Sequence, residues 1–150
     1  MSSPNYDTEL IKLEEISITD AGISNKTDMT VIDKESHYHD LNYRFQFGVN
    51  HSQKKIRVTF SCAIATFKKN GEKVDIKGNF NIVFFFHIDN LEELVKYDDK
   101  EMQVESNVLL SLSNITYSTS RGIIYTRCLG TIFNNVILPV LSTKKLEEIL

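Results

Sequence analysis

The feature that most constrains this chain is an alternation of apolar and polar residues that persists through three long segments. Residues 41–49 place an apolar side chain at every odd position, and the same period of two runs through 56–67 and 74–88. Successive side chains of a β-strand point to opposite faces of a sheet, so this period predicts three strands, each with one buried face. A fourth, weaker strand is predicted at 11–23.

The first predicted strand contains an irregularity. Its apolar positions change phase between Leu13 and Ile16. An extra residue in a strand bends it and moves the following side chains to the other face. The phase change therefore predicts a β-bulge or a bend.

The turn around Gly71 decides whether these strands share one apolar face. A two-residue Asn-Gly turn would send the apolar side chains of its two flanking strands to opposite faces. A three-residue loop, with Gly71 in the left-handed region, pairs Lys68 with Glu72 and keeps the apolar sets together. We predict this longer loop and a meander of at least three strands. Its register places Ile64 beside Ile76 and Phe60 beside Phe80.

The apolar face of the sheet needs a cover, because apolar side chains stabilise a fold only when they leave water. A short helix is predicted over LEELVKY, capped by Asp89 or Asn90, and a long helix is predicted to end at Gly130. Residues 132–141 then predict an extended crossing loop, and Ser142 or Thr143 begins a short final helix. The buried face of the long helix is predicted to contain Val108, Leu112, Ile115, Thr119, Ile123, Thr126 and Leu129.

These elements predict an α+β fold in a single domain over residues 1–150. A four-stranded antiparallel sheet has one face covered by C-terminal helices, comprising one long helix, a crossing loop and a short final helix. The length suits one ordinary domain.

Composition and charge narrow the class of protein. No apolar run approaches the roughly 20 residues of a membrane-spanning helix, so we expect no membrane insertion. The N-terminal residues lack a basic start and an apolar signal segment, which favours the cytoplasm. Basic residues concentrate at 41–78, at predicted hairpin ends and polar strand positions, which favours solvated charges over nucleic-acid binding. Cys62 and Cys128 have no metal-ligand spacing and are expected to be reduced and buried.

The most specific residues lie near the C-terminus. Asn114-Ile115 is followed by Arg121, then by Gly130-Thr131 and Pro139-Val140. This order resembles the C-terminal half of the SecB protein-export chaperones, where Asn-Ile opens a long helix, Gly-Thr-Phe ends it and a Leu-Ala-Pro-Val loop follows. The stretch between Arg121 and Gly130 is one residue shorter than in that family. The acidic first strand and the segment KGNFNIVFFF resemble the family in pattern only.

The resemblance implies an assembly and a function. A SecB-like chain forms a homotetramer, built as a dimer of dimers with helices packed between sheets. It acts as an ATP-independent holdase that binds unfolded client polypeptides along apolar grooves, for protein export. Its partner is a translocation ATPase, or a toxin–antitoxin pair in one branch of the family. The family continues past its final helix with a tail that contacts the ATPase, whereas this sequence ends at Leu150, so a toxin–antitoxin or orphan role fits equally well.

Two sets of residues are candidates for binding surfaces. Val83 and Phe85 occupy alternation positions that should be solvated, so we expect them in a subunit interface or in a client-binding surface, and we favour the interface. Glu14, Glu15 and Asp20 form a candidate acidic surface for docking a partner. A solvated strand face is the commoner explanation for such acids.

Catalytic chemistry finds little support in the sequence. His37 and His39 would share a strand face beside Asp40, which is half of a metal site, but no third ligand follows at an interpretable spacing. We find neither a nucleophile elbow nor a phosphate loop, and we predict no catalytic, cofactor or metal site and no enzyme activity. The alternative is a small apolar-ligand-binding or enzymatic α+β domain with a pocket between helices and a curved sheet.

Overall fold

A four-stranded antiparallel sheet forms the centre of the computed structural model, which describes residues 7–26 and 37–150. A short 3-10 helix (Thr8–Leu10) leads into the sheet, whose strand order is β1-β4-β3-β2, so that β1 and β2 are its edges. The four predicted strands and the β2–β3–β4 meander are confirmed. The strand bounds are β1 (Ile11–Asn25), β2 (His37–Asn50), β3 (Lys55–Lys68) and β4 (Lys73–Ile88).

Helices follow the sheet, as predicted, and complete the α+β architecture. They are the single turn α1 (Leu91–Leu94), the long helix α2 (Ser106–Cys128) and the final helix α3 (Thr143–Ile149). α2 packs on β3 and β4 and covers the centre of one face of the sheet. No helix in the described part of the chain is long and apolar enough to cross a membrane.

The predicted short helix is wrong beyond its first turn. Asn90 occupies its N-cap, but the chain turns extended at Val95 and forms a small hairpin of β5 (Val95–Asp98) and β6 (Glu101–Val104). Asp99 and Lys100 make the turn with positive φ angles. Asn-Gly or Asp-Gly normally marks such a turn, and neither is present, so the sequence pattern did not indicate the hairpin.

The turn between β3 and β4 has the predicted geometry. Gly71 has a φ of 88°, in the left-handed region. The amide of Lys68 donates to the carbonyl of Glu72 at 2.8 Å, which is the predicted pairing. The three-residue loop is therefore confirmed.

The register beyond this turn differs from the prediction. Thr66 lies opposite Val74, but Ala65 lies opposite Lys77, so β4 contains two additional residues at this point. As a result Phe60 pairs with Ile82 rather than Phe80, and Ile64 pairs with Gly78 rather than Ile76. Because two residues are one full period of a strand, the apolar side chains remain on one face despite the shift.

The buried face of α2 also differs from the predicted one. Val108 and Leu112 are buried, but Ile115, Thr126 and Leu129 are exposed. Large Phe and Ile side chains from the sheet fill much of the space beneath the helix, so small residues on α2 fit against them, and an apolar pattern does not reveal such residues. The buried residues of α2 are Val108, Leu112, Ser113, Thr116, Tyr117, Ser120, Ile124 and Cys128.

Two side chains of α2 hold the crossing loop by its carbonyl groups. The Tyr117 hydroxyl donates to the Pro139 carbonyl at 2.6 Å, and Arg121 Nε donates to the Leu138 carbonyl at 2.7 Å. Burial raises the pKa of Tyr117, so its hydroxyl stays protonated as a donor. Residues that carry the family resemblance, Arg121 and Pro139 among them, therefore serve the fold first.

The helix ends around the loop agree with the prediction. Gly130, with a φ of 75°, lies just beyond α2. Ser142 is the N-cap of α3, and its hydroxyl accepts from the amide of Lys145 at 3.2 Å. Cys62 and Cys128 are free and buried, and burial raises the pKa of Cys62 to about 12.

Residues of β2 and β4 contact the crossing loop from the side of the sheet. His39 Nδ1 lies 2.9 Å from Thr66 Oγ1, and its ring meets the Phe133 ring edge-on at 4.9 Å. Gly78 leaves room for Phe133, since a Cβ at Gly78 would lie 3.2 Å from that ring. Burial lowers the pKa of His39, and the neighbouring His37 lowers it further. His39 is therefore a packing residue of the loop.

We expect Arg121→Met to lower the free energy of unfolding by about 2 kcal/mol, because it removes a charged donor from a part-buried carbonyl. Urea denaturation measures the change. Arg127→Met is the matched control in the same helix, since Arg127 is exposed near the C-terminal end, and should cost less than about 1 kcal/mol. Equal losses for the two variants would contradict the assignment of Arg121 to the loop.

Stability should also depend on the protonation of His39. Its pKa is lower in the folded than in the unfolded chain, where it is close to 6.5, so below that pH the unfolded state binds more protons. The free energy of unfolding should therefore decrease as the pH falls from about 7 to about 5. His39→Phe should reduce this pH dependence and His51→Gln, at an exposed turn, should not. An unchanged pH profile in His39→Phe would exclude the effect.

Candidate functional site

The face of the sheet opposite α2 presents the predicted surface residues. We call it the open face; it consists of the odd-numbered residues of β4 and the residues paired with them on the other strands. Even-numbered residues of β4 are buried beneath the helix and loop, so alternation places Val83 and Phe85 on the open face, where each is half-buried. Both residues lie on the face that the alternation indicated. Their role in a subunit interface or a client-binding surface stays a prediction.

The predicted acidic residues lie on the same face. Glu15 pairs with Phe85 across the sheet, and Asp20 pairs with Asn81. Ser17, between these acids, pairs with Val83. The structure thus brings together two candidate sets that no sequence pattern connects, because strand register alone makes them neighbours.

Bulges in β1 produce this arrangement. The register shifts between Leu13 and Glu15, where a bulge was predicted, and again between Ile18 and Asp20. Each shift inserts one residue into β1, so Leu13, Ile16 and Ile18 stay on the helix side while Glu15 and Asp20 face the other way.

Glu14, inside the first bulge, differs from the other two acids. Its carboxylate accepts a hydrogen bond from Lys55 Nζ at 2.8 Å, and this bond is the largest cause of the lowered pKa of Glu14. Both side chains are more than one-third exposed, so the pair contributes little to stability. Within residues 7–26 and 37–150, Glu15 and Asp20 form no ion pair.

A hydrogen-bonded row orders the centre of the open face. Asn81 Nδ2 donates to Thr19 Oγ1 at 2.8 Å, and Ser61 Oγ donates to Asn81 Oδ1 at 2.7 Å. The Thr19 hydroxyl also donates to the Asn81 carbonyl at 3.2 Å. These bonds hold Asn81 in the floor of a shallow depression of about 550 Å³, which also includes Asp20 and Arg44.

Two arginines complete the open face on the β2–β3 side. Arg57 pairs with Phe85 on one side and Gly48 on the other, and Arg44 pairs with Ser61. The Arg57 guanidinium lies over Gly48, where a Cβ would be 3.0 Å from Nη2. Neither arginine makes an ion pair with another described residue. The sequence marked both as solvated basic residues, and only the register shows that they share rows with Glu15 and Asp20.

Both sheet edges carry apolar side chains that the helices cover incompletely. On β1, Leu13, Ile16 and Ile18 are 37 to 41% exposed on the helix side. On β2, a row of five apolar side chains is half-buried on the same side. This β2 row consists of Leu41, Tyr43, Phe45, Phe47 and Val49.

Aromatic contacts attach the β2 row to the core. The ring of Phe45 lies 5.2 Å from Phe60, and the ring of Tyr43 lies 5.7 Å from Tyr117. Phe60 and Tyr117 also meet edge-on at 5.7 Å. These rings link the edge strand, the sheet centre and α2, so the middle of the row packs directly on the core.

Possible metal ligands are dispersed over the described part of the chain. Among the residues that the structure describes, no three His, Cys, Asp or Glu side chains converge as metal ligands. Surface depressions lie over the open face and between α2 and α3, and buried side chains of the core lie between α2 and the sheet.

Comparison with known proteins relates this geometry to a fold. No protein-family model and no curated protein matches the sequence. A SecB-like chaperone from Mycobacterium tuberculosis, in complex with a peptide from an antitoxin, matches with a TM-score of 0.60 and 12% identity, covering 89% of this chain and 92% of that one. The fold is SecB-like. A protein of unknown function from Streptococcus agalactiae also matches, with a TM-score of 0.40 and 8% identity over 88% of this chain and 96% of that one.

The resemblance found in the sequence is therefore confirmed for the fold. The long helix, the crossing loop and the short final helix lie where a SecB-like chain was expected to have them.

We expect Phe85→Asp to weaken either subunit assembly or client binding, because it places a charge in the apolar part of the open face. Light scattering measures the mass, and suppression of the aggregation of a reduced, unfolded client measures binding. Asn79→Asp, on the same strand and face, is the control and should change neither. Unaltered mass and activity in Phe85→Asp would show that Phe85 has neither role.

Proposed function

We propose that this protein is an ATP-independent holdase of the cytoplasm that binds extended segments of unfolded polypeptides. The observation that carries the proposal is the outer edge of β2. This strand has 14 residues, and on that side no strand of the described chain pairs with it. Its helix side presents the β2 row of half-buried apolar side chains.

Such an edge suits the binding of many sequences. From Leu41 to Val49, the outward backbone N–H and C=O groups pair with no strand of the described chain and are a template for an added strand, whatever that strand's sequence. The alternating side chains of the added strand would then contact the β2 row, which selects apolar residues without demanding a particular one. β2 pairs with β3 without a register shift over its whole length, so the template is regular.

The SecB-like fold supports the proposal, and the peptide in the Mycobacterium tuberculosis complex indicates the class of partner. That structure contains a peptide from an antitoxin. We therefore propose an antitoxin-type client here in preference to delivery to a translocation ATPase. Docking of an ATPase on the acids of β1 is less well supported, because Glu14 is paired with Lys55 and the same face carries Arg44 and Arg57. We also propose that no cofactor or catalytic step is involved.

We propose a homotetramer, built as a dimer of dimers, as the working assembly. The apolar residues of β1 and the exposed side of α2 are the surfaces that need a cover. α2 has only two charged residues, Arg121 and Arg127. Its exposed side carries Ile115, Ser118, Gly122 and Tyr125, which suits close packing against another helix.

We expect Phe47→Lys to reduce holdase activity, because a lysine on the helix side of the edge strand opposes the docking of an added apolar strand. The molar excess needed to halve the aggregation of an unfolded client should rise about tenfold, a change equivalent to about 1.4 kcal/mol in binding. Asn42→Lys introduces the same residue on the opposite face of β2 and should leave activity unchanged. Circular dichroism and thermal denaturation establish that both variants fold. Full activity in a folded Phe47→Lys protein would exclude the β2 edge as the client site.

A further inference from the structure

We propose that the open face binds the open face of a second copy of this chain, through a two-fold axis that runs parallel to the strands. This contact lies on the opposite side of the sheet from α2 and from the proposed client site. It is independent of the holdase function.

From the row of Glu15 to the row of Asp20, the charges of the open face are divided by strand; beyond these rows the face also carries Lys12, Lys77 and Asp40. The acids Glu15 and Asp20 are on the β1 edge, and the arginines Arg57 and Arg44 are on the β3 and β2 side. None of the four is engaged in an ion pair within the described ranges. A surface of this kind is self-complementary, because its acidic side matches the basic side of an identical surface.

The acids and arginines also share cross-strand rows. One row reads Glu15, Phe85, Arg57 and Gly48, and it ends where the Arg57 guanidinium covers Gly48. The other row reads Asp20, Asn81, Ser61 and Arg44. Four residues of β4 separate the two rows, which is about 13 Å along the strand.

A two-fold axis that runs parallel to the strands, above the line between β4 and β3, brings the acids of one copy opposite the arginines of the other. It places β1 of one copy over β2 of the other without moving either row along the strands. Glu15 then faces the Arg57 guanidinium of the second copy, and Asp20 faces its Arg44. Symmetry repeats both pairs, so the contact contains four ion pairs.

The central strand contributes the apolar part of the same contact. Val83 and Phe85 lie on β4, next to the proposed axis, so they would lie over β3 of the second copy and diagonally beside its Val83 and Phe85 as the ion pairs form. Burial of these four side chains removes the apolar surface that is otherwise half-exposed on a polar face. A two-fold axis perpendicular to the strands would instead place β1 over β1 and oppose the acids, which the charges disfavour.

The size of the face sets the expected strength. Four strands and about eight residues per strand cover roughly 19 by 26 Å, or about 500 Å² of projected area per copy. This is at the low end for a specific interface, and aligned sheets also cross at about −30°, so contact is best near the centre. We therefore expect a weak contact between copies, in addition to the contacts of the proposed homotetramer, whose strength depends on salt.

The test is a charge swap between two variants. Arg57→Glu alone opposes Glu to Glu, and Glu15→Arg alone opposes Arg to Arg, so the association of each variant beyond the proposed tetramer should be at least about tenfold weaker than that of the wild type. A mixture of the two restores Glu–Arg pairs at both symmetric positions. Sedimentation velocity and energy transfer between labelled variants, at about 50 mM salt, should show association recovering to within about threefold of wild type.

A measurement at high salt, a control pair and a second charge swap complete the test. In about 0.5 M salt, where the screening length is about 4 Å, open-face association should weaken at least tenfold. Lys145→Glu mixed with Glu148→Lys, an exposed pair on α3, is the control and should associate like the wild type, alone or mixed. If Glu15→Arg does not fold, Asp20→Arg with Arg44→Glu provides the second swap. Wild-type association by either variant alone, or no recovery on mixing, would overturn the proposal and leave the open face to another partner.

Discussion

The backbone pairing of β4 with β1 on one side and β3 on the other is the constraint on which the rest of the structure depends. From Lys77 to His87, each residue of β4 has a strand partner on both sides, and its side chain must then point to one face or the other. Register consequently decides which residues of β1 and β3 share each face. The two-residue insertion in β4 leaves the faces intact, whereas a one-residue slip would have exchanged them.

On the helix side, α2 covers only the centre of the sheet. Apolar surface on the edge strands therefore remains available for binding. α2 approaches β3 and β4 closely because Ser113, Thr116 and Ser120 lie against the sheet. The hydroxyls of these three residues are buried without a hydrogen-bond partner in the described part of the chain, which is a cost of such close packing. Since one helix cannot span four strands, the apolar side chains of β1 and β2 are left partly exposed.

Much of the fold could be predicted because it depends on local rules. Alternation indicated four strands, Gly71 indicated the bulged turn, and Ser142 indicated the start of α3. The failures depend on contacts between distant segments. The hairpin from Val95 to Val104 lacks turn residues that would mark it, and the buried face of α2 was obscured because small hydroxyl residues occupy it.

The candidate site also divides into features that local sequence patterns predicted and features that only the tertiary structure showed. The sequence by itself determined that Val83 and Phe85 interrupt a polar strand face, that β1 is acidic and bulged, and that the C-terminal segment resembles the SecB chaperones, because these are properties of neighbouring residues. Only the tertiary structure decided that Glu15 shares a row with Phe85 and Arg57, and Asp20 a row with Arg44. It also decided that Glu14 is paired with Lys55. The physical reason is that strand register arises from the whole sheet packing beneath α2, and no local pattern specifies which distant residues that packing places side by side.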